Sequence, residues 1–185
     1  NKFELIRPTN YVKHAIYKLT QLILIIFAML FHDSIVINTT PEKIFRFFEE
    51  MPKNYTHWHP NHLTFRWVNS TGVQEGTTFY FEEQIGGEFL KKKVVFTKVI
   101  PFQYLEFVPT NRFFRLFMPR FSFELKAING RQTQFIAEFV VRGMGPIAKW
   151  LNRKQFAAVR EHMKEEGQNL KELMESPKEQ EYASY

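Results

Sequence analysis

From Leu63 to Arg142 the chain alternates apolar and polar residues with a period of two, and the alternation is broken at "NSTG", "IGG", "IPFQ" and "INGR". This pattern predicts five or six antiparallel strands joined as a meander. "GMGP" ends the run, and Pro146 opens an amphipathic helix predicted to continue to about Glu175. One long helix can bury its apolar stripe only by crossing the concave face of such a sheet, which leaves a cavity between the two. The expected class is α+β, a curved antiparallel sheet wrapped around a C-terminal helix. Upstream, "DSIVIN" reads as a strand. "TTPEKIFRFFEEM" reads as a helix with Thr40 as N-cap and Pro41 at the first helical position, and "PKNYTHWHPNH" as a short irregular or helical connector.

At 185 residues the chain is the size of one ordinary domain. It divides into an N-terminal apolar extension (1–31), the main domain (32–176) and a polar tail (177–185) that should fray. Phenylalanine supplies 21 residues, a surplus that suits the wall of an apolar cavity and extra core volume equally. The absence of cysteine excludes a disulfide framework and thiolate chemistry, so any metal must be held by His, Asp and Glu. The net charge of +6 does not imply nucleic acid, because the basic residues are scattered and "KKK" at 91–93 reads as a solvated strand face.

"LTQLILIIFAMLF", residues 19–31, is almost wholly apolar but shorter than the roughly 18 to 20 residues of a spanning helix. No small-residue cleavage site follows it. The expectation is a segment packed on the domain or on a second subunit of a homodimer, with an interfacial membrane anchor or an uncleaved signal-like segment as alternatives. Localisation is expected to be cytoplasmic, with membrane association if the run is an anchor.

Two polar side chains of the final helix fall on its apolar side. With Val159 as origin, Phe156, Met163, Leu170 and Leu173 lie within about 60° at 100° per residue, and so do His162 and Glu166. Arg160, Glu161, Lys164 and Glu165 lie outside this arc. A carboxylate in the middle of an apolar stripe costs several kcal/mol unless it is paired or bound to a metal. His162 and Glu166 stand one turn apart and can grip one ion. In "TFYFEEQIGG" the alternation Phe79, Phe81, Glu83, Ile85 puts Glu83 on the inward face, while Tyr80, Glu82 and Gln84 point out. "YTHWHPNH" adds His57, His59 and His62 just before the first strand of the meander, as ligand candidates or as polar loop residues.

The element order resembles the helix-grip fold of the START-like superfamily of lipid carriers and polyketide cyclases. The motifs resemble those of the diacetylphloroglucinol hydrolase family within it, which are metal-dependent carbon–carbon hydrolases. "YTHWHPNH" is similar to that family's Tyr-x-x-Trp-x-Pro followed by His, "EQIGG" to its Glu-x-Ile-Gly-Gly, and His162-x-x-x-Glu166 to its last helix. The resemblance spans roughly residues 34 to 175. It implies His62, Glu83, His162 and Glu166 as metal ligands and a substrate-contacting role for Tyr55. The chain has one residue fewer between Trp58 and His62 than the family pattern, which makes His59 a candidate replacement ligand or supporting catalytic residue. It also carries the apolar run where the characterised hydrolases have a long N-terminal extension.

The implied activity is hydrolysis of a carbon–carbon bond next to a ketone in a hydrophobic acyl-phenol or polyketide-like substrate. The expected metal is zinc, with manganese or iron compatible with the oxygen-rich ligand set. The alternative is a metal-free carrier of a lipid or other apolar ligand, with His162 and Glu166 as a buried polar pair. A membrane-associated interaction protein anchored through residues 19–31 is a third, weaker option.

Overall fold

The computed structural model describes residues 28–176 and, of the segment before them, Asn10, Tyr11, Lys13, His14 and residues 17–19. Seven strands, β1 (Met29–Ile37), β2 (His62–Trp67), β3 (Thr78–Ile85), β4 (Glu88–Ile100), β5 (Tyr104–Pro109), β6 (Arg120–Asn129) and β7 (Gln132–Val141), form one antiparallel sheet. Their order is β1-β7-β6-β5-β4-β3-β2, so the meander of six strands is joined at its far edge by the N-terminal strand. Two helices, α1 (Pro41–Glu49) and α2 (Met51–Trp58), connect β1 to β2. The last two, α4 (Pro146–Leu151) and α5 (Arg153–Glu175), follow the sheet.

Helix α5 packs on β1 at one edge of the sheet and on β3 near the other. One helix can touch both only because the sheet curls around it, which is the expected cavity-forming arrangement. The apolar stripe does what its period predicts: Met163, Leu170 and Met174 are buried, with Phe156, Val159 and Leu173 packed against the core. Phenylalanine serves both ends suggested by composition. Phe45 and Phe47 fill the core beneath α1, whereas Phe79, Phe107 and Phe123 line the cavity.

The β3–β4 hairpin shows why "EQIGG" ends in two glycines. Ile85 pairs with Glu88, leaving Gly86 and Gly87 as a two-residue turn with φ of 61° and 86°. That geometry needs left-handed backbone at both positions. Gly86 has a second constraint: a Cβ there would lie 2.8 Å from the Ala158 Cβ on α5 and 2.7 Å from the Gln155 Oε1. The helix therefore rests on bare backbone, and Gln155 Nε2 donates to the Ile85 carbonyl at 3.1 Å. Gly86→Ala is expected to cost roughly 1–3 kcal/mol from left-handed strain and overpacking together. Thermal unfolding would show it, and Gly87→Ala, which meets no atom within 4 Å, should lose only the strain component.

Several expectations change. The helix over 146–175 is two helices, because the chain departs from helical geometry at Asn152 (φ −95°, ψ 11°) and the Asn152 side chain donates back to the Ala148 carbonyl at 2.9 Å. Thr40 does stand at the N-cap of α1, but its side chain makes no capping bond. The connector is helical as α2. A short helix, α3 (Arg112–Phe117), was not anticipated, although its cap was legible: the Asn111 side chain accepts from the Phe113 and Phe114 amides. The lysine run is not wholly solvated, since Lys92 faces the cavity. The apolar run and the strand overlap, because Met29–Phe31 belong to β1. Residues 20–27 of that run and the tail 177–185 lie outside the described residues. Among the described residues no helix is long and apolar enough to cross a membrane.

Candidate metal centre

Each inward polar residue is placed by a local rule. His62 opens β2 and is the register partner of Glu83 on β3, so the two side chains leave the sheet on the same face. The register shifts immediately after His62, where Leu63 is extruded and exposed. His162 and Glu166 project from successive turns of α5. One donor atom from each of His62, Glu83, His162 and Glu166 lies within 4.8 Å of every other. A tetrahedral zinc site with bonds of about 2.0–2.2 Å sets its ligand atoms about 3.3 Å apart, so closure needs only small side-chain rotations.

Hydrogen bonding makes His62 suited to ligate a metal. Its Nδ1 lies 3.1 Å from the Tyr55 carbonyl, which can only accept, so Nδ1 carries the proton and Nε2 presents a lone pair. That Nε2 is 2.9 Å from Glu166 Oε1. Two acceptors this close need positive charge between them, whether a proton or a metal ion. A carbonyl-oriented imidazole whose far nitrogen faces a carboxylate suits a metal-bound histidine, because an ion could take the place between the two.

His59 is equally buried but differently used. Its Nδ1 accepts the Asn61 amide at 3.1 Å, so its proton sits on Nε2 and is donated to the Glu165 carboxylate at 3.1 Å. Neither nitrogen is free, and the ring packs against His162 with centroids 4.3 Å apart. His57 is exposed and lies outside the cluster.

His162 is the unsatisfied member. Both its ring nitrogens are buried without a hydrogen-bond partner. Its Nε2 is 3.7 Å from Glu166 Oε1 and 4.0 Å from Glu83 Oε2. Burial lowers its pKa against the pull of Glu166 and Glu83, which favours the neutral, ligating form.

Glu83 divides its oxygens. Oε1 takes the Lys92 ammonium at 2.5 Å, while Oε2 faces the Tyr55 hydroxyl at 3.5 Å and the cluster. Burial pushes its carboxyl up, but the charge and hydrogen bond of Lys92, helped by His162 and His62, outweigh this and hold it below the usual carboxylate range. Burial and the Glu83 charge raise the Tyr55 hydroxyl far above its ordinary value, so it keeps its proton and can donate. Trp58, the middle of "YTHWHPNH", donates its indole N–H to the Glu166 carbonyl at 2.8 Å, pinning α5 at the turn that carries the site.

Tyr55, Trp58, Glu83, Lys92, His162 and Glu166 line a cavity of about 330 Å³ whose lining is otherwise mostly phenylalanine and other apolar side chains; His62 is buried among them without lining it. Sequence reasoning brought His62, Glu83, His162, Glu166 and Tyr55 to one place: the first four cluster, and Tyr55 touches Glu83 and His62. It missed Lys92, which the alternation backward from Val94 and Phe96 places inward, and Glu165, which lies off the apolar arc yet reaches His59. The donor set fits a divalent metal: two buried imidazoles that each offer a nitrogen toward two carboxylates, in a site where one imidazole has no hydrogen-bond partner.

Comparison with known proteins addresses the architecture. No protein-family model and no curated protein matches the sequence. Solved structures do match in shape. The ZhuI aromatase/cyclase from Streptomyces sp. R1128 superposes with a TM-score of 0.62 at 10% identity, covering 80% of this chain and 94% of that one. A START superfamily protein from Mycobacterium smegmatis gives 0.58 at 10% identity, over 79% of this chain and 97% of its own. The chain has the START-like helix-grip fold. Ginseng major latex-like protein 151 from Panax ginseng shares it as well, with a TM-score of 0.54 at 11% identity over 74% and 97% of the two chains. At such identities the START-like likeness speaks to the fold, and the chemistry has to come from the cavity.

Proposed function

We propose that this START-like protein is a metal-dependent hydrolase that cleaves the bond between a ketone carbon and an aromatic ring in an acyl-phenol or related polyketide. The observation that carries the reading is His162, buried with both ring nitrogens unpartnered beside the carboxylates of Glu83 and Glu166 and the imidazole of His62. Burying that set costs several kcal/mol in an apolar cavity unless a cation completes it. His62, Glu83, His162 and Glu166 would hold the ion, zinc by preference, with manganese or iron compatible. When bound, such an ion supplies Lewis acidity toward a carbonyl oxygen and toward water.

The protein's own groups have separate tasks. Tyr55, which keeps its proton, donates to the ketone oxygen as it gains negative charge. Lys92 holds Glu83 in place and puts a positive charge between the Phe81 and Phe121 rings, 5.4 and 5.8 Å from their centroids, where a phenolate would lie. His59 and Trp58 position His162 and Glu166. In the net reaction water adds to the ketone, the acyl–ring bond breaks with its electron pair going to the ring carbon, that carbon takes a proton, and a carboxylic acid leaves. A cavity of about 330 Å³ lies at the small end of ligand sites and suits one substituted ring better than a long-chain lipid.

The second reading, a metal-free carrier of an apolar ligand, draws on the Lys92–Glu83 pair, which satisfies one carboxylate without any metal. Incubation with acylated phloroglucinols decides between them. Release of the short acid, abolished by a chelator and restored by zinc, is expected. Tight ligand binding that survives chelation, with no acid released from any acyl-phenol, would favour the carrier.

A further inference from the structure

Next to the cavity-lining Met118 and Met144 the molecule carries exposed apolar side chains that the hydrolytic reading does not use. Phe113, Phe114 and Leu116 on α3 are 64%, 54% and 45% exposed, and Ile147, Trp150 and Leu151 on α4 are 77%, 63% and 66% exposed. Neither helix has a buried residue. Such short helices are marginal without a packed face, and single exposed apolar residues are ordinary, but clusters of this kind mark an interaction surface. The two helices adjoin the same part of the cavity lining. The Phe117 carbonyl at the end of α3 accepts the Arg142 amide at 2.7 Å, and Met118 after α3 and Met144 before α4 both line the cavity.

The charge around these residues points to the partner. Segments 107–123 and 139–160 contain eight of the chain's 25 Lys and Arg residues and none of its 19 Asp and Glu residues, so the rest of the chain is net negative. Arg112 and Arg115 interleave with the phenylalanines of α3, and Lys149, Arg153 and Lys154 lie near Trp150 in sequence, with Arg153 over the indole at 4.9 Å. A second copy of the chain is a poor occupant, because a two-fold contact would set this cationic surface against itself. Aromatic rings among arginines could stack on nucleobases, yet Leu116, Ile147 and Leu151 offer no such stacking. Apolar and aromatic tips among basic side chains, at the entrance to an apolar cavity, match the headgroup boundary of an anionic bilayer.

We propose that the rim formed by α3 and α4 docks on anionic membrane surfaces, so that the cavity opens toward the lipid phase in which a hydrophobic substrate is concentrated. The docking stands independently of the metal and of the hydrolysis, and either can fail without the other. The contact is peripheral and is made by folded rim residues.

Flotation of the full chain with vesicles tests it. Phosphatidylserine-containing vesicles should be bound, with the Trp150 emission shifted to the blue, and pure phosphatidylcholine vesicles should be bound at least about tenfold more weakly. Arg112→Gln with Arg115→Gln should weaken anionic-vesicle binding about tenfold or more, and Phe113→Ser with Trp150→Ser should abolish the insertion. Because no residue of either helix is buried, the thermal midpoints of both variants should stay within a few degrees of the parent. The proposal is overturned by equal binding to both vesicle types or by no binding. It is also overturned by vesicle binding that both rim variants leave unchanged, which would assign the contact to residues 19–31, or by a single-stranded oligonucleotide that binds the rim more tightly than vesicles do.

Discussion

Replacing Glu166 by glutamine is expected to lower zinc affinity at least about 100-fold and to reduce turnover by about 10³-fold or more, while the protein stays folded. Glu166 Oε1 is the carboxylate oxygen close to both candidate imidazoles, 2.9 Å from His62 Nε2 and 3.7 Å from His162 Nε2. Glutamine keeps the shape and removes the charge. The bond that docks α5 at this turn is unaffected, because Trp58 donates to the backbone carbonyl of residue 166. Competition with a chelating dye gives the affinity, and thermal unfolding of metal-free protein should show little change, since a charge repelling Glu83 has also gone. Glu165→Gln is the control. It keeps an acceptor for His59 and should stay within about tenfold of the parent in zinc affinity. Equal losses in the two variants would mean that the helix, and not the ligand, had been disturbed.

Lys92→Met should destabilise the metal-free protein by roughly 3 kcal/mol, because it leaves the Glu83 carboxylate buried without its cation. For a domain of this size that is a fall of about 6–12 °C in the thermal midpoint. Glu83 has a side chain 7% exposed and relies on Lys92 at 2.5 Å. A divalent ion on the other carboxylate oxygen would supply replacement charge, so saturating zinc should restore most of the lost stability. If the deficit is the same with and without zinc, Glu83 does not take part in metal binding.

These two residues also show what the sequence could and could not convey. Glu83, His162 and Glu166 were legible because strand and helix periods decide which face a side chain occupies, and an acid among inward phenylalanines stands out against its neighbours. His62 was selected over His59 only through resemblance. The physical reason is the register that sets His62 opposite Glu83, together with two hydrogen bonds that occupy His59. Neither can be read without the fold. Lys92 was concealed by its company: three consecutive lysines resemble a solvated face, although the alternation through Val94 and Phe96 carries it inward. Glu165 lies well off the apolar arc of α5, yet a long side chain at the edge of a helix can still reach a buried imidazole. The break at Asn152 was hidden because Ile147, Trp150 and Leu151 look like the continuation of a buried stripe. Their exposure is a property of the tertiary arrangement, and it is what makes the cavity rim a separate surface.

The central claim is that His62, Glu83, His162 and Glu166 bind one divalent ion. Elemental analysis of protein purified without added metal, run beside His162→Ala and Glu166→Gln, tests it most directly. About one zinc, manganese or iron ion per chain is expected in the parent protein and well under a tenth of that in either variant. A parent protein free of metal that also fails to take up zinc at micromolar concentration, or variants that retain the parent's full content, would contradict it.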